Sequence, residues 1–178
     1  MIAPEHFTTD RLMLRPLLPS DAEALFPAFS DPDLMTWWSS GPHATVEETR
    51  AYINPEGGYG DDWLAWAITS NGEDAIGRVG AGMRRPGVWE IGYLLRRDLW
   101  GRGYAREAVA GVVDYLFNEK DARRIFADVD PDNVLSIGLL RRLGFREEGR
   151  LRAEWETHLG VRDSLIFGLL KDEWNAAR

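Results

Sequence analysis

The chain contains no cysteine in its 178 residues. That excludes disulfide staples, thiolate-ligated metals and a catalytic thiol. Histidine is scarce as well: His6, His43 and His158 stand far apart without metal-ligand spacing, and no metal is expected. No apolar run approaches the ~18 residues of a membrane span, and the N-terminus lacks the basic-then-apolar order of a secretory signal. Positive charge is in deficit, with 21 Lys and Arg against 29 Asp and Glu for a net charge of −8. Nucleic acids and anionic membranes both call for a basic face, so neither is expected as a partner. A cytoplasmic location is what remains, and any site for a polyphosphate must be local.

What is present suits one well-cored domain spanning residues 1–178, with no composition break, repeat or linker. Arg11 to Leu17 alternates as a strand. Ser20 with Glu23 reads as a capping box opening a helix to about Phe29. Asp31 to Pro42 is turn-rich and carries the adjacent Trp37 and Trp38. Thr45 with Glu48 is a second capping box, with Val46, Thr49 and Ile53 on one helix face. The acidic, glycine-rich loop PEGGYGDD (Pro55 to Asp62) leads to a strand at Trp63 to Thr69. Asn71-Gly72 then turns into a hairpin partner at Ile76 to Met83. A turn at Arg85-Pro86-Gly87 precedes Trp89 to Leu95, an almost continuous apolar strand of the kind buried in mid-sheet.

The strongest helix follows, with Ala105, Ala108, Val109, Val112, Val113, Leu116 and Phe117 on one stripe. Arg124 to Val129 is a strand, and Asp130-Pro131-Asp132-Asn133 turns into a helix carrying Leu135, Leu139, Leu140 and Leu143. Gly144 is its C-cap. Two strands near Arg146 to Glu154 and Asp163 to Leu170 complete the chain. The order β-α-α-β-β-β-α-β-α-β-β, with a βαβ unit from Trp89 to Val129, gives a mixed α/β fold, its sheet flanked by helices.

The segment Trp100-Gly101-Arg102-Gly103-Tyr104-Ala105, continuing to Arg106 and Ala108, lies between the buried strand and the amphipathic helix. Glycines let a backbone approach a ligand, and a helix's first turn offers unpaired N–H groups at a positive dipole end. That suits a pyrophosphate. Arg102 and Arg106, with Arg96 and Arg97 upstream, add point charges. The alternative is a plain strand-to-helix turn whose glycines only permit tight packing. The segment lacks the Gly-Lys-Ser/Thr ending of a Walker loop and the three spaced glycines of a dinucleotide fingerprint.

This segment resembles the acyl-CoA-binding motif of the GCN5-related N-acetyltransferase (GNAT) family, Gln/Arg-x-x-Gly-x-Gly/Ala, with Trp100, Gly103 and Ala105 in the first, fourth and sixth places. Trp-Gly-x-Gly-Tyr-Ala is similar to the version in the ribosomal-protein N-terminal acetyltransferase (RimJ/RimL-like) branch. Four further segments resemble that branch in order: Thr9 to Pro16, Glu90-Ile91-Gly92-Tyr93, Asn133-x-x-Ser136 with Leu143-Gly144-Phe145, and Asp163 to Leu170. The resemblance implies an acyl-CoA N-acyltransferase fold whose mixed, mostly antiparallel sheet splays between its fourth and fifth strands. It also implies acetyl-CoA (coenzyme A) as co-substrate and direct transfer to an amine, with no covalent enzyme intermediate.

Carried over residue by residue, the resemblance sets Tyr93, Leu94 and Leu95 along pantetheine and Gly101, Arg102, Gly103, Tyr104 and Ala105 on the pyrophosphate. Asn133 falls near the pantetheine or the acetyl end. Glu90 is the candidate base, against the alternative of a surface carboxylate at a strand start. Many relatives use a tyrosine seven residues after the asparagine to protonate the thiolate, a place held here by Leu140. Ser136 is the replacement candidate, against a serine that only bonds its helix's backbone. Asp128 and Asp130 are further base candidates, though Asp130 equally fits a turn. Trp37 and Trp38 fall where the family binds its acceptor, as a pocket wall or as packing. The acceptor expected is a protein or peptide N-terminal amine. A small-molecule amine (antibiotic or polyamine) and a non-catalytic acyl-CoA-binding module are the alternatives. A monomer or homodimer is expected.

Overall fold

The computed structural model describes residues 5–54, 60, 62–70 and 72–176. In chain order the elements are β1 (Phe7–Thr8), β2 (Met13–Pro16), α1 (Ala22–Phe29), α2 (Pro32–Met35), α3 (Val46–Ile53), β3 (Trp63–Thr69), β4 (Gly77–Arg85) and β5 (Val88–Leu95). There follow α4 (Tyr104–Glu119), β6 (Arg124–Val129), α5 (Val134–Arg142), β7 (Arg146–Thr157), β8 (Gly160–Leu170) and α6 (Lys171–Ala176). The strands join in one sheet in the order β1-β2-β3-β4-β5-β6-β8-β7, antiparallel everywhere except between β5 and β6.

That parallel pair closes the βαβ unit through α4, and it is short. Val88, Trp89 and Glu90 pair with Arg124, Ile125 and Phe126, and the strands then separate. The cause lies in their outer neighbours. β5 stays paired with β4 as far as Leu95, and β6 stays paired with β8 as far as Val129. Each half of the sheet keeps its own ladder, and Ile91 to Leu95 parts from Ala127 to Val129. This is the splay that the resemblance implies.

The core has two parts. The larger buries the α4 stripe with Ile137 and Leu140 of α5 against Trp66, Val79, Ile91, Ile125 and Phe167 of the sheet. The smaller sets Leu25 and Phe29 of α1, Leu34 and Met35 of α2 and Ile53 of α3 over Ala67 and Leu94 on the opposite face. At ~25 cal/mol per Å² of apolar area, the fully buried rings Trp66, Phe29, Phe117 and Phe167 rank among the largest contributors to stability.

Three local expectations need correction. Ser20 does not cap α1. Residues Pro19–Asp21 form a 3₁₀ turn, and the buried Asp21 carboxylate accepts the Leu18 N–H (2.8 Å) while pairing with Arg15 (2.7 Å), so the helix starts at Ala22. The turn-rich stretch after Asp31 holds α2, started by the Asp31 carboxylate on the N–H groups of Asp33 and Leu34, with Pro32 in the first turn. The final strands are longer than expected, meeting at Thr157–Gly160, and β1 and α6 are additional. The Thr45 cap holds: its hydroxyl accepts the Glu48 N–H at 3.2 Å, and the Glu48 carboxylate turns back to the Ala44 N–H at 2.6 Å. Residues 55–59 and 61 of the acidic loop and Asn71 of the hairpin turn lie outside the described residues. Among the described residues no helix is long and apolar enough to cross a membrane.

Candidate active site

The parting of β5 and β6 opens a cleft of about 530 Å³. Its walls are the free edges of the two strands, the start of α4, the inward side of α5 and the α2 segment bearing Leu34, Trp37 and Trp38. A strand edge without a partner presents unpaired N–H and C=O groups, which suit the amide groups of an extended ligand. Gly92 stands on this edge, and a Cβ placed there would meet nothing within 4 Å.

At one end lies the glycine segment. Gly101 and Gly103 have φ of 76° and 81°, the left-handed region that glycine enters without steric cost. Gly103 is the N-cap of α4 and no side chain caps that helix, so its first N–H groups remain open toward the cleft. The segment is tied down from outside. The Trp100 indole N–H donates to the Leu95 carbonyl at 2.8 Å. Arg11 donates to the Arg102 carbonyl at 2.9 Å, lies 4.7 Å over the Tyr104 ring, and pairs with Glu107 at 2.7 Å. Glu107 also accepts from the Thr9 hydroxyl at 2.6 Å. Burial works to raise its pKa, but the bonds from Thr9 and Arg11 outweigh it and hold the carboxyl below its ordinary range. This buttress was missed in the sequence because its halves lie ninety-six residues apart.

The arginines divide. Arg96 and Arg97, expected as phosphate ligands, are held by acids: Arg96 by Asp98 at 3.0 Å, Arg97 by Asp33 at 2.5 Å and Asp31 at 3.4 Å. Arg97 thereby pins the strand end to α2, while Arg96 pairs within the turn that follows β5. Arg106 lines the cleft, and so does Arg142, which the sequence reading did not single out. Leu99, Leu135 and Leu139 supply apolar wall. Leu135 is 63% exposed and offers apolar surface at this wall. Open helix N–H groups, a glycine cradle, free-standing arginines and an apolar trough together match the pyrophosphate and the extended arm of coenzyme A.

Midway, the Tyr93 hydroxyl and the Ser136 Oγ are 2.6 Å apart. Burial pushes the Tyr93 phenol up to about 12, with the Ser136 bond pulling the other way, so its proton stays on. Asn133 caps α5, its Oδ1 accepting the Ser136 N–H at 3.1 Å. Leu140 is fully buried, so a side chain at that position points into the core. The hydroxyl pair thus joins β5 to α5 where the sequence offers no tyrosine on α5 itself.

At the far end stand two carboxylates. Asp130 is engaged: Arg162 donates to it at 2.8 and 3.0 Å, and the Asp132 N–H at 2.8 Å. Burial works to raise its pKa, but these bonds and the Arg162 charge hold it below the ordinary carboxylate range. Among the described residues Asp128 accepts from neutral donors alone, the Trp155 indole N–H at 2.8 Å and the Ser164 hydroxyl. Glu90 is not brought to this wall. It sits on the last paired rung, and its carboxylate turns to Arg84 at 2.6 Å. Trp37 and Trp38 both reach the cleft, and Trp38 also donates to the Tyr52 hydroxyl at 2.7 Å and packs edge-on to Phe29. Wall and packing are thus combined in one residue.

Comparison with known proteins agrees with this geometry. Residues 11–146 match the model of the acetyltransferase (GNAT) domain. The chain is 35% identical over 175 residues to the N-acetyltransferase p20 of Bacillus licheniformis, covering 96% of this chain and 98% of the relative. It is 30% identical over 88 residues to the ribosomal protein uS5-alanine N-acetyltransferase of Escherichia coli, a match of 49% of this chain and 45% of the relative. The solved GCN5-related N-acetyltransferase of Brucella melitensis superposes with a TM-score of 0.82 at 30% identity, covering 98% and 83% of the two chains. A parted sheet, an open helix start and a family model spanning the clamp converge, and the chain belongs to the GNAT family of N-acetyltransferases.

Proposed function

We propose that the chain moves an acetyl group from acetyl-CoA directly to a primary amine, with a protein or peptide N-terminal α-amine as acceptor. The observation carrying this reading is the cleft itself, with a phosphate-suited helix start at one end and a carboxylate free of arginine at the other. The acetyl donor supplies an activated thioester. Arg106 and the N–H groups at the start of α4 hold its phosphates, and the free edge at Tyr93, Leu94 and Leu95 takes its amide-bearing arm.

In the transfer the amine nitrogen bonds to the thioester carbonyl carbon and the carbon–sulfur bond breaks, giving an amide and a thiol. A backbone N–H of β5 polarises the carbonyl oxygen. The amine's proton passes to Asp128, the cleft carboxylate that no arginine pairs with, and from there to solvent. The Ser136 hydroxyl, held by Tyr93, donates a hydrogen bond to the leaving sulfur and relays to it a proton from solvent, so that both hydroxyls end the step protonated. Glu90, bound to Arg84, is the weaker candidate for the base. An α-amine needs little help, because its pKa is ~7.7–8.0 against ~10.4 for a lysine. The partial likeness to the uS5-alanine enzyme favours an N-terminal acceptor and the RimJ/RimL-like branch.

A small-molecule amine is the second reading, favoured by Trp37 and Trp38 on the wall, whose ring faces suit any cation. The test is thiol release from acetyl-CoA across a panel of peptides with free N-termini, the same peptides blocked, and polyamines. Release with free peptides alone supports the first reading and release with polyamines alone the second. No acceptor-dependent release from any amine would refute both.

A further inference from the structure

We infer that the bulge in β7 is a positioning device that holds the Asp128 carboxylate at the acceptor end of the cleft, with Trp155 as its working side chain. The inference rests on the reading of Asp128 as the group that takes the amine's proton.

After a first irregularity between Glu147 and Gly149, β7 pairs with β8 in register from Gly149 opposite Ile166 to Leu151 opposite Ser164, and after the larger bulge pairing resumes with Trp155 opposite Arg162. Three residues, Arg152, Ala153 and Glu154, therefore face the single Asp163. An insertion of this kind increases the local twist and re-aims the side chains beyond it. Ala153 takes a φ of 53°, which a residue with a Cβ adopts only when its surroundings insist. The Asp163 carboxylate does the insisting. It accepts the Ala153 N–H at 2.9 Å and is clamped by the Arg150 Nε at 2.8 Å.

The consequence lies two strands away. Trp155 stands on the edge strand, β8 intervenes, and Asp128 is on β6. Neighbouring strands lie ~4.8 Å apart, so an indole must lie across β8 to reach that carboxylate, and its N–H does so at 2.8 Å. From below, the fully buried Ser164 donates to the other oxygen. With one oxygen fixed by each donor, the carboxylate plane is set relative to the cleft wall that Asp128 lines. Trp155 is itself 43% exposed, so burial does not account for its place on the hairpin.

Apart from Arg106 and Arg142, which line the same cleft, the charged groups around Asp128 are committed. On β5 Glu90 is paired with Arg84 of β4. On β6 Asp130 is paired with Arg162 of β8, which also takes Asp132, while Arg124 is held by Glu148 of β7. On β8 Asp163 is paired with Arg150 of β7, and near α2 Asp31 and Asp33 share Arg97. On β7 Arg146 is also paired with Glu173 and Glu147 with Arg141, and the remaining Arg152, Glu154 and Glu156 are exposed. The Trp155 and Ser164 donors are neutral. They orient the carboxylate without cancelling the charge that an ammonium group would meet.

The experiment compares Trp155→Phe, Asp163→Asn and Asp128→Asn with the unaltered protein, each first shown to keep its thermal midpoint and its affinity for acetyl-CoA. Trp155→Phe keeps the ring but loses the donor, so one carboxylate oxygen is no longer held. Turnover, read as thiol release with the best amine of the panel, should fall about tenfold while the KM for acetyl-CoA stays within about twofold. Asp163→Asn should lower turnover by less. As a readout independent of turnover, the Trp155 indole resonance, identified by its loss in Trp155→Phe, should shift on Asp128→Asn. If Asp128→Asn keeps the turnover of the unaltered protein, the proton-acceptor reading fails and takes this inference with it. If Asp128→Asn loses turnover while Trp155→Phe keeps it, the reading stands and the positioning role is refuted.

Discussion

The two ends of the cleft are built in different ways. The coenzyme end is backbone: two glycines with positive φ, an uncapped helix start and a free strand edge, drawn mostly from one stretch of chain. The acceptor end is side chain, assembled from Asp128 on β6, Ser164 on β8, Trp155 on β7 and the tryptophans after α2. In the proposed function the first end recognises groups common to every acetyl donor of one kind, and backbone suffices for that. The second would fit one amine among many, and side chains can vary there without disturbing the sheet. On that proposal the clamp specifies the donor and the mouth the acceptor.

The comparison can be broken most severely at the clamp. Gly103→Pro is incompatible with a φ of 81° and with Arg11 3.3 Å from where a Cβ would stand. It should weaken acetyl-CoA binding at least about a hundredfold, measured by calorimetry, with the fold intact by circular dichroism. Ser136→Ala, midway along the cleft, should lower turnover about tenfold while leaving acetyl-CoA affinity within about twofold. Equal losses in both would make Ser136 a binding residue. Arg11→Ala should cost about 1 kcal/mol or less of stability, since its side chain is 48% exposed, and weaken acetyl-CoA severalfold by loosening the Arg102 carbonyl. Thermal melts and binding titrations check both. The smallest effect belongs to Glu90→Gln, which should change turnover by less than about twofold and leave its pH profile in place, because Arg84 already holds that carboxylate. A lost acidic limb would restore Glu90 as the base.

How much of this was legible in the sequence follows the same division. The clamp could be read because its physics is local: glycines, a helix start and an apolar stripe within a few turns. The splay was reached through resemblance, since nothing in Val88 to Leu95 alone says that pairing stops after Glu90. The Tyr93–Ser136 bond, the Arg11–Glu107 buttress and the reach of Trp155 to Asp128 join residues 27 to 96 positions apart, and spacing carries no signal for them. Two misses had signals. Asp31-Pro32 is a cap followed by a first-turn proline, and it marks α2. Arg15, six residues before Asp21, claims the carboxylate that turns the chain ahead of α1.

The most direct test of two separately built ends is acetyl-CoA binding by Asp128→Asn, measured by calorimetry beside its turnover. The account predicts affinity within about twofold of the unaltered protein, with turnover reduced about a hundredfold, the scale of a lost general base. An affinity that falls in step with turnover, or turnover that survives, would contradict it.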